Sequence, residues 1–157
     1  MIDEIKNKIK ILEEYHKHNY QLTKSNFQNI NSIQSHKDCI YSVSTFPSGN
    51  IISVSNDKSI IIYDIHLNIL QNIQNAHNNI ITYVEVKDEN NFITCSNDKS
   101  IKLWIKNKNI FIINKIINNA HEDIIIKVIY YSNNNLISCS WDKTIKIWKE
   151  NNNYEKY

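Results

Sequence analysis

One internal repeat constrains the fold of this chain more than any other feature of its sequence. The three copies that align without gaps are "SVSNDKSIIIYD" (53–64), "TCSNDKSIKLWI" (94–105) and "SCSWDKTIKIWK" (138–149). Their aspartates lie 41 and 44 residues apart, and a histidine precedes each aspartate by 21 residues. A constant interval inside a period of this length indicates one supersecondary unit that is used three times.

Each unit has the residue pattern of four short strands. β-Branched and aromatic residues follow each histidine, over Ile40–Phe46, Ile80–Val86 and Ile124–Tyr131, and this favours a first strand. A polar turn then leads to small β-formers ("IISVS", "FITCS", "LISCS"), and a tight "NDKS" or "WDKT" turn leads to "IIIY", "IKLW" or "IKIW". A fourth strand is predicted over 68–74 and 110–116. Four strands in about 40–45 residues are typical of the blades of a β-propeller.

The recurring histidine, aspartate and aromatic residue resemble the WD-repeat family over residues 28–157. The resemblance implies an all-β fold, here a partial β-propeller of three four-stranded blades that follow a short N-terminal α-helix. The implied blades cover approximately residues 36–74, 77–117 and 121–157. The sequence departs from the family pattern before each histidine, where Ser35, Ala76 and Ala120 replace the usual glycine. It also departs at Tyr63, where the other two units have Trp.

Serine, histidine and aspartate together raise the question of a hydrolase site. A catalytic triad needs a single serine beside a general-base histidine, with an oxyanion hole nearby. Here the trio recurs at the repeat period, and the chain has no GxSxG motif, with Gly49 as its only glycine. We therefore predict no catalytic residue and no enzyme activity. The WD-repeat resemblance implies structural hydrogen-bond networks, in the sets His36/Ser53/Asp57/Tyr63, His77/Thr94/Asp98/Trp104 and His121/Ser138/Asp142/Trp148.

The composition argues against several other classes of function. The net charge is only +2 and the chain contains no arginine, so we expect no nucleic acid partner, because that role usually needs a basic patch. The apolar runs are too short to span a bilayer. Cys39, Cys95 and Cys139 lack CxxC spacing, and three histidines in separate blades do not converge on one ion, so no metal or other cofactor is predicted. The corresponding expectation is a cytoplasmic or nuclear location.

The WD-repeat resemblance also implies a surface for partners, on the face where the histidine loops and aspartate turns emerge. The implied positions lie three and five residues after each histidine and one residue before each aspartate. They are Cys39, Tyr41, Asn56, Ile80, Thr82, Asn97, Ile124, Ile126 and Trp141. Trp141 stands where the other units have Asn, and an exposed Trp beside isoleucines is typical of a hot spot for a peptide. The alternative is that Trp141 packs over the neighbouring blade.

The N-terminal segment divides into three parts. The apolar residues that recur at helical spacing are Ile2, Ile5, Ile9 and Leu12. They predict an amphipathic helix within residues 1–20, which either packs on the flank of the propeller or pairs with another helix. Residues 21–28 are expected to be a linker. Residues 29–35 align with the fourth strand of the first unit and predict an outer strand, which the resemblance implies completes the last blade of a closed propeller.

Three blades are too few for a closed ring, since propellers typically have about four to eight. We expect either that the chain is part of a longer propeller or that two chains pair as a homodimer of two half-propellers. The predicted function is a non-catalytic scaffold of the WD-repeat type, with a protein or peptide partner and no membrane. The alternative is a structural subunit that is buried in an obligate multiprotein assembly.

Overall fold

The computed structural model of the protein describes residues 6, 8–14, 27–132 and 134–150. The chain forms two separate units, Met1–Ser32 and Ile33–Tyr157. In the first unit, residues 6 and 8–14 are helical, which confirms a short helix near the N-terminus. The side chains of Ile9 and Leu12 on this helix are both exposed. The other two residues of the predicted apolar stripe, and most of the predicted linker, lie outside the described residues.

The outer strand predicted over residues 29–35 does not form. Residues 27–35 have no regular secondary structure, and the Ile30 side chain is almost fully exposed. An extended segment needs a neighbouring strand that hydrogen-bonds its backbone N–H and C=O groups. Among the described strands, none pairs with this segment. Without such a neighbour among the described strands, residues 29–35 do not form the predicted strand.

Three antiparallel sheets make up the second unit, one for each sequence repeat. The first sheet contains β1 (Ile40–Thr45), β2 (Ile51–Ser55), β3 (Ile60–Tyr63) and β4 (Ile69–Ile73). The second sheet contains β5 (Ile81–Asp88), β6 (Asn91–Ser96), β7 (Ile101–Asn107) and β8 (Ile110–Ile117). The third sheet contains β9 (Ile125–Tyr131), β10 (Asn135–Ser140) and β11 (Ile145–Trp148), and residues 151–157 lie outside the described residues. Consecutive strands pair within each sheet, which confirms the predicted all-β fold.

The tight turn before each third strand has an unusual backbone conformation. Lys58, Lys99 and Lys143 have φ angles of 67°, 67° and 69°, in the left-handed region that costs most residues roughly 1–2 kcal/mol. The N–H of each lysine donates a hydrogen bond to the carbonyl of the serine three residues earlier, at 3.2 Å in all three turns. The same turn geometry is therefore repeated in each sheet, and it holds the preceding aspartate at one fixed place.

The hydrophobic core lies between successive sheets. In one cluster, Ile60 and Ile62 of β3 are buried together with Val84 of β5. In the second cluster, Ile101 of β7 is buried together with Val128 of β9. Side chains alternate between the two faces of a strand, so each sheet buries one face against its neighbour. Successive sheets are thereby packed as blades, with their histidine loops at the same end.

Candidate functional site

The hydrogen-bond network of the second blade connects a loop, a turn and two strands. His77 Nδ1 lies 3.0 Å from Asp98 Oδ2, and His77 Nε2 lies 2.8 Å from Thr94 Oγ1. The indole Nε1–H of Trp104 donates to Thr94 Oγ1 at 2.9 Å. Because the indole is only a donor, the Thr94 hydroxyl is free to donate to His77 Nε2, while Nδ1–H donates to the carboxylate. All bonds in the chain then run in one direction, from Trp104 to Asp98.

The third blade repeats this network almost atom for atom. His121 Nδ1 lies 2.7 Å from Asp142 Oδ2, and His121 Nε2 lies 2.7 Å from Ser138 Oγ. Trp148 Nε1–H donates to Ser138 Oγ at 2.9 Å. The predicted set is therefore joined by hydrogen bonds here as well.

The first blade uses a tyrosine in place of the tryptophan. His36 Nδ1 lies 3.1 Å from Asp57 Oδ2, and His36 Nε2 lies 2.7 Å from Ser53 Oγ. The Tyr63 hydroxyl reaches Ser53 Oγ at 3.2 Å and also bonds to Ser35 Oγ. Ser35 is the residue that replaces the usual glycine before the histidine. This departure from the repeat supplies a second partner for the shorter aromatic side chain.

Each network has a further member that the sequence reasoning missed. The hydroxyls of Ser59, Ser100 and Thr144 each donate to the aspartate two residues earlier at 2.6 Å. They also lie 3.0, 3.1 and 3.2 Å from the histidine Nδ1 of the same blade. The signal that would have identified them is the recurrence of Ser or Thr at the second position after each aspartate.

The charge state of the networks follows from these contacts. Burial raises the pKa of Asp98, but hydrogen bonds from His77 and Ser100 outweigh it, and the pKa lies well below its usual value. The pKa values of Asp57 and Asp142 are lowered in the same way, by hydrogen bonds that outweigh burial. Burial also lowers the pKa of His77, although Asp98 opposes that change. At neutral pH, Asp98 is therefore ionised and His77 is uncharged.

The networks are suited to holding the blade together and do not present a nucleophile. Ser53, Thr94 and Ser138 are at most 2% exposed, whereas a nucleophile or general base must reach its substrate. Each network ties a loop, a turn and two strands together, and a buried polar group of this kind is stable only when its partners are present.

Comparison with known proteins agrees with this geometry. The model of the family described as "WD domain, G-beta repeat" matches residues 27–64, 68–104 and 114–149. The chain belongs to the WD-repeat family. Among solved structures, this WD-repeat chain is similar to the crystal structure of the WD40 beta propeller domain of Doa1, with 25% sequence identity and a TM-score of 0.68. That likeness confirms the propeller fold.

The similarity covers 76% of this chain and 40% of the Doa1 chain. This WD-repeat chain therefore spans well under two thirds of the length of that solved propeller. In the comparison with curated proteins, no sequence matches this chain.

The implied partner surface of this WD-repeat chain contains exposed side chains as well as partly buried ones, some of which are hydrogen-bonded within the chain. Tyr41, Ile126 and Trp141 are exposed, and so is Cys39. The partly buried positions are Asn56, Ile80, Thr82, Asn97 and Ile124. Thr82 Oγ1–H donates to the carbonyl of Ile125 in the next blade at 2.6 Å. Asn56 Nδ2 donates to Asp38 Oδ2 at 2.7 Å.

Trp141 has the largest exposed aromatic side chain of this surface. Its backbone N–H donates to the Ile124 carbonyl at 3.0 Å, which fixes it beside the first strand of the same blade. Ile126, two residues after Ile124, is also exposed. The Trp141 side chain is 64% exposed, so most of its indole ring is uncovered by the described residues of the neighbouring blade.

In the described part of the chain, neither a metal-binding cluster nor a membrane-spanning helix is present. Groups of three or more His, Cys, Asp or Glu side chains that could hold a metal ion were not found there. Over the same residues, no helix is both long and apolar enough to cross a membrane.

Proposed function

We propose that this WD-repeat chain is a non-catalytic protein-interaction module that binds a peptide on the loop face of its third blade. The observation that carries the proposal is Trp141, an exposed indole where the two other blades have Asn56 and Asn97. A rigid network beneath the turn supports it, because Asp142 accepts hydrogen bonds from His121 and the turn backbone. A large aromatic residue on a fixed backbone loses little conformational entropy on binding and is typical of binding hot spots.

The proposed partner is a peptide with an apolar side chain. Ile124 and Ile126 extend the apolar surface beside Trp141, whereas the corresponding residues of the second blade are Ile80 and the internally bonded Thr82. An apolar anchor from a partner would therefore be buried better on the third blade than on the second.

The experiment is a selection from a random peptide library against the purified full chain, followed by affinity measurements with the selected peptides. Trp141→Asn restores the residue of the other blades, and we expect it to weaken binding at least tenfold, about 1.4 kcal/mol. Tyr131→Asn is the matched control, since it removes another exposed aromatic residue at the opposite end of β9. Equal binding by the Trp141 variant and the unchanged chain would contradict the proposal.

A structural subunit in an obligate assembly is the second candidate function. The observation that favours it is the exposure of apolar side chains on the first and third blades, among them Val43 and Ile145. Apolar surface of this kind is usually covered in a working assembly.

We also propose a cytoplasmic or nuclear location for the module. Support comes from Cys39, Cys95 and Cys139, which are all free thiols, as expected in a reducing compartment. Microscopy of the tagged chain tests this, and a signal confined to the secretory pathway would contradict it.

A further inference from the structure

The third blade exposes an apolar face on β10 and β11. Trp148 packs on the cluster shared with the second blade, and alternation along β11 directs Ile145 and Ile147 to the opposite side. Their side chains are 74% and 63% exposed. Ile137 and Cys139 of the paired strand β10 stand opposite Ile147 and Ile145. This group is called the trailing face of the blade.

The trailing faces of the first two blades consist of the same kinds of side chain, but they are buried. Ile145 corresponds in the repeat to Ile101 and Ile60, which are both 0% exposed. Ile101 is covered by the first strand of the third blade, and Ile60 by the first strand of the second blade. In the first two blades, the trailing face is thus a contact surface for the following blade.

The first blade exposes the complementary face. Val43 on β1 is 66% exposed, whereas the corresponding Val84 and Val128 are 1% and 0% exposed. Those two valines lie in the clusters that cover the trailing face of the preceding blade. Ile40 is exposed as well, while its counterpart Ile81 is fully buried. This side of a blade is called the leading face.

The contact between blades also has a repeated polar component. The Ala76 N–H donates to the Lys58 carbonyl at 2.9 Å, and the Ala120 N–H donates to the Lys99 carbonyl at 2.8 Å. In the repeat, the third carbonyl is that of Lys143 and the third N–H is that of Ser35. These two groups lie at the two ends of the array, beside the exposed trailing face and the exposed leading face respectively.

We propose that a second copy of this chain covers both faces, with the trailing face of each copy on the leading face of the other. The interface would continue the contact that the chain makes twice within itself, with the same apolar residue types and the same backbone hydrogen bond. Pairing in this way produces two identical interfaces related by a two-fold axis and leaves neither face exposed. With the three described blades of each copy, the resulting ring would have six blades, within the usual range of about four to eight. The inference concerns the sides of the blades and is independent of peptide binding at Trp141.

Light scattering coupled to gel filtration on the full chain gives the first test. We expect a single species with twice the 18.6 kDa mass of one chain. Val43→Lys blocks the leading face and Ile145→Lys blocks the trailing face, and both positions are exposed, so the substitutions should spare the fold. Each variant alone should run at half the mass of the unchanged chain, since a lysine then stands in both interfaces. Ile110→Lys is the matched control, because Ile110 is 54% exposed on the outer strand β8, and it should leave the mass unchanged.

Mixing the two blocked variants gives the decisive test. The unmodified trailing face of the Val43→Lys chain then meets the unmodified leading face of the Ile145→Lys chain, and one intact interface forms. We expect the mixture to recover the two-chain mass, although neither variant has it alone. A monomeric unchanged chain, a species of any other mass, or a mixture that stays monomeric would overturn the inference. A dimer that loses peptide binding in the Trp141→Asn variant separates the two proposals, since that substitution leaves both faces intact.

Discussion

Replacing Thr94 by valine tests the structural role of the histidine networks most directly. Thr94 is fully buried, and its Oγ1 accepts a hydrogen bond from Trp104 Nε1 at 2.9 Å. The same hydroxyl lies 2.8 Å from His77 Nε2. Valine has nearly the same shape but lacks the hydroxyl, so the substitution leaves two buried ring nitrogens without a partner and creates no cavity.

The magnitude follows from those two nitrogens. A buried polar group that loses its partner costs about 1–3 kcal/mol, and the apolar valine offsets part of that cost, so we expect Thr94→Val to lower the free energy of unfolding by about 2–4 kcal/mol. Thr94→Ser is the matched control, because it keeps the hydroxyl that Ser53 and Ser138 provide in the other blades. Loss of one buried methyl group should cost this variant about 1 kcal/mol.

The assay is urea unfolding of the full chain, followed by tryptophan fluorescence and far-ultraviolet circular dichroism at matched protein concentrations. The expected order of stability is the unchanged chain, then Thr94→Ser, then Thr94→Val. If the valine variant were as stable as the serine variant, the Thr94 hydroxyl would contribute no more to the free energy of unfolding than one buried methyl group. The structural interpretation of the network would then be wrong.

Four further experiments have definite expected outcomes: a turn substitution, a pH titration, an aspartate substitution and a thiol-labelling assay. Lys58→Gly should raise the free energy of unfolding by about 0.5 kcal/mol, because glycine adopts the left-handed conformation of Lys58 without steric cost; an unfolding midpoint below that of the unchanged chain would contradict this. The pKa of His77 is lower in the folded chain than in the unfolded chain, so the unfolded chain binds a proton at His77 at a higher pH. The free energy of unfolding measured by urea titration should therefore fall as the pH drops through 6.5. A second fall should begin near pH 3.8, since the pKa of Asp98 is lowered too, and a rise in stability over either range would refute the assignment. Asp142→Ala should lower the melting temperature, because it removes the hydrogen-bond acceptor of the histidine and the turn; an unchanged melting curve would argue against a structural role. A thiol reagent should fail to label Cys95 in the folded chain, since burial raises the pKa of its thiol to about 12, and rapid labelling detected by mass spectrometry would contradict the packing.

The strands of each blade were predicted correctly because each blade is local in sequence. The histidine and aspartate of one network are 21 residues apart, and the histidine and its hydroxyl partner are 17 apart. Strand alternation and turn chemistry over such a short span determine which side chains meet. The three copies of the repeat also support one another, since a residue type that recurs three times in register has the same surroundings each time. Ser100 was missed by this reasoning. The sequence shows that Ser or Thr recurs at its position in every repeat, but it does not show the hydrogen bonds that the hydroxyl makes.

Predictions that depended on contacts between segments were less complete. Thr82 was expected on the partner surface, yet its hydroxyl is bonded to the next blade at the Ile125 carbonyl. Residues 29–35 were expected to form a strand and have no regular secondary structure. Both outcomes depend on what lies beside the residue in space, which a single aligned repeat does not specify.

The sequence by itself determined the repeat unit and its strands, because these rest on patterns within about 40 residues. The hydrogen-bond networks were implied by the resemblance to the WD-repeat family. Only the tertiary structure decided which copies of the unit are buried. Ile101 and Ile145 occupy the same position of the repeat, yet the first is fully buried and the second is 74% exposed. The physical reason is that hydrophobic burial is a property of two surfaces in contact. The repeat supplies one of those surfaces in every copy, and a neighbouring blade must supply the other.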